Sequence, residues 1–128
     1  MRDIAHNLGV VQALVPQVLA ATDTSAAIDL LGFNSAMVVI NTGAIVSSGN
    51  FTAKLQESDT TTSGDFTDVA AADLIGTLPA VLLASSVAKQ SYIGNKRYLR
   101  LVTTKNSGTS IAAGAVIIKG DAASKPVA

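Results

Sequence analysis

Residues 50 to 76, NFTAKLQESDTTTSGDFTDVAAADLIG, hold five acidic side chains, Glu57, Asp59, Asp65, Asp68 and Asp73, with hydroxyl residues between them and Gly64 near the middle. Oxygen donors spaced in this way around a glycine suggest a calcium loop, a catalytic carboxylate cluster, or a solvated turn. An EF-hand loop places ligands at positions 1, 3, 5, 7 and 9, glycine at 6 and a bidentate glutamate at 12. Counted from Asp59, the fit runs through Thr61, Ser63, Gly64, Asp65 and Thr67, and then fails because position 12 is Ala70. The flanking segments 51–56 and 66–69 also have the character of strands rather than helices. The spacing therefore predicts the tip of a β-hairpin, with Gly64 free to take the turn conformation, and no metal site.

Other catalytic chemistry finds little to build on. His6 is the single histidine, and no serine is placed beside it by any local motif. There is no cysteine, hence no thiolate, disulfide or Cys-ligated zinc. No Gly-x-Gly-x-x-Gly and no Gly-Lys-Ser/Thr phosphate cradle occurs. Asn50-Phe51-Thr52 matches a glycosylation sequon, a three-residue pattern that arises often by chance. The expectation is a protein that is not an enzyme, with no catalytic residue, no metal and no cofactor.

The densest cluster of distinctive side chains is GNKRYLR, residues 94–100. Arg97, Tyr98 and Arg100 are residue types enriched at protein-interface hot spots. The same segment also reads as a hairpin opening at Gly94-Asn95 followed by a central strand. Tyr98 or Leu99 would then be core, and Arg97 and Arg100 would pair with the loop carboxylates. The two readings are compatible.

The elements that must position these residues follow from composition and period. Of 128 residues, 48% are hydrophobic but only 4% aromatic, and none is tryptophan, so burial must come from many small side chains. Charged residues are 14%, below the roughly 25% of ordinary domains, which points to a surface partly facing another protein. Nine basic residues balance nine acidic ones, without the basic excess of a nucleic-acid binder. The apolar runs fall short of the ~18 residues of a membrane span. VVQALVPQVLAA loosely resembles a signal-peptide core, but Gln12, Pro16 and Gln17 interrupt it; synthesis in the bacterial cytoplasm is expected.

Period two dominates. Phe51, Ala53 and Leu55 alternate with Thr52, Lys54 and Gln56; Leu99, Leu101 and Thr103 line one face of another strand. Residues 36–40 form a near-continuous apolar run, closed by Asn41-Thr42-Gly43, which implies either burial on both faces or one face in the core and one against a neighbour. AAIDLLGF ends a short strand at Gly32, NSGTS makes a turn, and 115–119 form the last strand. A helical turn fits 71–75, Pro79 ends any longer helix, and 81–87 could be helix or strand. The segment 1–21 is either an extended arm that docks on another chain through Val10, Val11 and Leu14, or the first strand. The body would be 22–120 and the loose C-terminal tail 121–128. Strands every ten to fifteen residues, separated by Gly, Asn, Asp, Ser and Thr, predict an all-β, single-domain antiparallel β-sandwich or barrel.

Three segments, AIDLLGFNSAMVVINTGAI, FTAKLQESDTTTSGDFTDVAAADLIGT and YIGNKRYLRLVTT, in this order and spacing, resemble small proteins encoded in the head modules of tailed bacteriophages and prophages. The likeness runs from about residue 27 to 119. Such proteins are called capsid decoration, cement or minor head proteins. The resemblance implies a jelly-roll-like sandwich on the outer capsid surface of the virion, bound to the major capsid protein, often as a homotrimer. The balanced charge and the short apolar runs point to no nucleic acid and no membrane as partner. It assigns no catalytic residue and no role to the Ala-rich segment 80–88. Two other classes stand beside it: a carbohydrate- or receptor-binding β-sandwich of a phage fibre, short of aromatic side chains to stack on sugars, and a metal-dependent enzyme.

Overall fold

A computed structural model describes residues 3–122. The chain forms β1 (Gly9–Leu19), β2 (Asp23–Thr24), β3 (Ile28–Asp29), β4 (Phe33–Val46), β5 (Asn50–Ser58), β6 (Thr67–Asp68), β7 (Leu74–Ile75), β8 (Val87–Tyr92), β9 (Tyr98–Ser107) and β10 (Ser110–Ala122). Single 3-10 turns stand at Ser63–Asp65 and Ala71–Asp73, and no α-helix occurs among the described residues.

Two antiparallel sheets face each other. One has the order β1-β10-β4-β8-β7, the other β2-β9-β5-β6, with β3 also on β9. Since β2 and β3 lie in turn along β9, they act as one interrupted strand. Leaving aside the two-residue β7, eight strands result, paired first with last, second with seventh, third with sixth and fourth with fifth. That is one long hairpin rolled up on itself, the jelly-roll form of the β-sandwich. The acidic loop 59–66 is the tip of this hairpin, where β5 turns into β6 through Gln56↔Asp68 and Glu57↔Thr67.

Alternation decides which face of each strand is inside. In β4, Ala36, Val38, Ile40 and Thr42 are buried; from β5 come Phe51, Ala53 and Leu55, from β9 Leu99 and Leu101, from β10 Ile111, Ala113, Ala115 and Ile117. Because side chains are small, the sheets close over a core almost without large aromatics; Phe51 and Tyr92 are the two that are fully buried.

Several boundaries differ from expectation, each for a physical reason. Asn41-Thr42-Gly43 does not end a strand. β4 continues to Val46 because the Thr42 hydroxyl, buried, is held by the 83–86 loop: Ser86 N–H donates to it at 3.0 Å, and Thr42 N–H donates to Ser86 O at 2.8 Å. The 81–87 segment is this loop, neither helix nor strand until Val87. AAIDLLGF contributes only the two-residue β3, since Gly32, at φ +90°, turns the chain directly into β4. The last strand is longer than 115–119 and takes in Asp121 and Ala122, the latter opposite Phe33, so the expected tail boundary falls within β10; 123–128 lie outside the described residues.

Gly9–Leu19 is a strand, paired with β10 from Gly9↔Lys119 to Leu19↔Ile111. Pro16 is accommodated at the sheet edge, where a missing N–H leaves no ladder bond unmade, and the register slips on both sides of Leu14. Opposite it sits Gly114: a Cβ there would lie 3.0 Å from Pro16 Cγ, so the glycine lets the two backbones approach.

Candidate interaction faces

A sandwich has two outer faces, and here they differ in kind. Along the second sheet the outward positions are polar and already joined to each other. Lys54 and Asp68 form an ion pair at 3.1 Å, and Gln56 Nε2 donates to Asp68 at 2.9 Å. Arg100 Nε donates to Gln56 Oε1 at 2.8 Å, its Nη1 donates to Ser63 Oγ at 3.0 Å, and its guanidinium lies 4.3 Å from the centre of the Phe66 ring. Asn106 Nδ2 donates to Asn50 Oδ1 and Thr52 Oγ1. The Gln56 and Lys54 contacts hold the Asp68 carboxyl below the ordinary carboxylate range.

The five acids of the 50–76 stretch are dispersed, with Asp73 in the 3-10 turn Ala71–Asp73. Asp68 belongs to the polar face. Asp65 accepts from Thr60 Oγ1 at 2.7 Å, and Asp59 accepts from Lys96 Nζ at 2.9 Å, both at the hairpin tip. Glu57 is buried and accepts from the Tyr92 hydroxyl at 2.8 Å, which ties β5 to β8 across the core. Burial, with the Glu57 carboxylate in contact, pushes the Tyr92 hydroxyl above its ordinary range and keeps it a neutral donor. No group of three or more His, Asp or Glu side chains with metal-binding geometry occurs among the described residues.

The residues singled out by sequence as interface candidates do not converge either. Arg97 makes a two-pronged pair with Asp29, Nε to Oδ1 at 3.0 Å and Nη2 to Oδ2 at 2.9 Å, not with a loop carboxylate, and lies over the Tyr98 ring at 5.1 Å. These hydrogen bonds hold the Asp29 carboxyl at about 2. Arg100 bonds a neutral amide and a hydroxyl rather than an acid. Leu99, not Tyr98, is the core member of that strand. In β1, Leu14 is buried and Val11 packs against the core, so neither offers a surface; Val10 is 65% exposed.

Val10 belongs to the other outer face, and pairing register places its neighbours in rows. One row reads Val10, Ile118, Met37, Ser91 and Ile75 from β1 across β10, β4, β8 and β7. The next reads Gln12, Val116, Val39 and Lys89. In a third, Gly114 and its covering Pro16 lie beside Asn41 and Val87. Lys89 is the one charged side chain in these rows. Val87 is 68% exposed and Ile75 57%. Within the face, Ala112 and Gly114 of β10, too small to fill the space, leave a depression of about 670 Å³ walled by Val18, Pro16, Val39 and Val116. The sequence signal for this face is the doubly apolar character of 36–40 and of GAVII at 114–118.

No family model matches the sequence, and no curated protein matches it in sequence. Solved structures share its fold. The SPBc2 prophage-derived protein YomS superposes with a TM-score of 0.52 at 12% identity, over 92% of this chain and 98% of that one. A subunit of Bacillus endospore appendages, described as disulfide-linked pili, superposes with a TM-score of 0.51 at 12% identity, over 96% of this chain and 98% of that one. At such identity the likeness is one of fold.

Proposed function

We propose that this chain is a non-catalytic structural protein of a virion, which decorates the outer surface of a tailed-phage capsid with the major capsid protein as its partner and adds to the stability of the shell. The observation that carries this reading is the contrast between the faces: polar side chains are spent on the fold itself, while one entire sheet face is uncharged apart from Lys89 and rich in Val, Ile and Met. A rigid module with a broad apolar face is suited to holding other proteins, and repetition over a shell multiplies modest contacts. The shared fold of a prophage-derived protein supports the phage setting.

A second reading, a subunit of a fibrous appendage, is favoured by the edge strand β1, whose eleven residues GVVQALVPQVL carry no charge to discourage a neighbouring strand. Such a subunit would have to be joined without disulfides, since the chain has no cysteine. A sugar-binding fibre module has less support: Phe51, Phe66 and Tyr92 are buried, and Phe33 and Tyr98 each sit beneath a cation.

Mixing the purified protein with undecorated shells tests the proposal. Saturable binding at a fixed number of copies per shell lattice point, with greater resistance to heat or low ionic strength, is expected. Absence of binding, or binding without added resistance, would sink it. The copy number separates monomers, pairs and trimers.

A further inference from the structure

We infer that the apolar outer face of the β1-β10-β4-β8 sheet is a self-association face, on which a second copy of this chain docks face to face about a two-fold axis parallel to the strands. The inference concerns the free chain; because it uses the face on which the capsid reading rests, the pair must open before that face can hold a shell.

Shape selects the occupant. The hollow above Gly114 stands beside Asn41 of β4, offset by one strand. A two-fold axis running between β10 and β4, parallel to them, lays β4 of each copy over β10 of the other, twice. Val39 then meets Val116, Met37 meets Ile118, and Asn41 enters the hollow above Gly114. Such an isologous contact needs only one self-complementary patch.

Charge selects the same axis. Gln12 and Lys89 end the same row on opposite sides. The axis parallel to the strands brings each Lys89 ammonium over the partner's edge strand at Gln12, whose amide oxygen can accept. An axis across the strands would instead bring the two Lys89 side chains together, and like charges at contact oppose association. The rest of the three rows is uncharged, so an occupant must itself be apolar, and this sheet face is itself such a surface.

Area sets the strength. β10 and β4 run side by side over about nine residues and β1 and β8 overlap over the six of β8; at ~4.8 Å spacing and ~3.3 Å rise this gives roughly 475 Å² per copy, or about 950 Å² for the pair. That is near the lower limit for a specific interface, about 1,000 Å². The pair should thus be reversible and concentration-dependent.

Sedimentation equilibrium of the full chain over a concentration series is the test. A reversible dimer, twice 12.9 kDa, is expected. Val39→Lys should weaken it about a hundredfold or more, because it buries two unpaired charges, with the circular dichroism spectrum unchanged. Gln12→Glu, at an exposed edge position, should tighten it about fivefold by creating two ion pairs with Lys89, and this gain should vanish in high salt. If Val39→Lys does not fold, the Gln12→Glu result stands by itself. A chain that stays monomeric at ~1 mM overturns the inference, as does a trimer. So does a dimer indifferent to Val39→Lys, or one that Gln12→Glu leaves unchanged or weakens.

Discussion

The two outer faces of this sandwich are built on the same inner layer yet handle their side chains in opposite ways. On the β9-β5-β6 side, Arg100, Gln56, Asp68 and Lys54 form a chain of contacts that ends within the molecule. On the β1-β10-β4-β8 side, Val39, Val116, Met37 and Ile118 lie side by side on the outward face, each partly exposed. The polar face was the conspicuous one in the sequence, and its groups are used up in stabilising the fold. The lesson is that a cluster of interface-type residues marks a free surface only when nothing nearby in space consumes it. Arg97 illustrates this, since its partner Asp29 lies 68 residues away in sequence.

Truncating adjacent residues that point in opposite directions separates the inner layer from the outer face. Ile117 is fully buried and Ile118 faces outward. Ile117→Ala should cost about 2–5 kcal/mol in urea denaturation, and Ile118→Ala less than about 1 kcal/mol in the dilute, unassociated chain. Equal losses would mean that the outer face is part of the fold rather than a surface held in reserve.

Next in size is Arg100→Ala. It removes two hydrogen bonds and a stacked cation from the polar face, and a loss of about 1–2 kcal/mol in unfolding free energy is expected. Self-association should not change. A variant as stable as the parent but defective in assembly would reverse the roles assigned to the two faces.

The smallest effect is that of acid. Asp29 has a folded pKa of about 2, below its ordinary 3.8, because Arg97 and the Leu31 N–H bind the charged form. A depressed carboxyl contributes stability above its unfolded pKa and loses it as pH falls through the folded one, so the loss should develop between about pH 4 and pH 2. The pair is nearly half exposed, which limits this contribution to less than about 1 kcal/mol. Asp68 shifts in the same direction. The apolar face has no carboxylate in its rows, so dimerisation should be flat from pH 8 to pH 4.5. Asp29→Asn should remove part of the acid dependence of unfolding; an unaltered profile would show that the pair does not hold in solution.

Much of this architecture was legible in local pattern. Phe51, Ala53 and Leu55, with Leu99 and Leu101, announced inward faces through period two, and Ala70 at the twelfth loop position separated a hairpin tip from a calcium loop. The jelly-roll form came from a resemblance, since periodicity alone leaves sandwich and barrel open. What escaped depends on contacts distant in sequence. Thr42 looks like a turn residue until the 83–86 loop arrives to satisfy its hydroxyl. Pro16 looks like a break until β10 presents Gly114 to it at the sheet edge. Leu14 would share the outward face of Val10 by period two, and turns inward only because β1 slips register between Gln12 and Leu14, which period counting cannot foresee.

Hydroxyl-radical labelling of side chains, comparing dilute chain with assembled chain, tests the division of labour between the two faces most directly. Assembly should protect Met37, Val39, Val116 and Ile118, and leave Tyr98 beneath Arg97 labelled as in the dilute chain. Protection at Tyr98, with Met37 still reacting freely, would contradict the account.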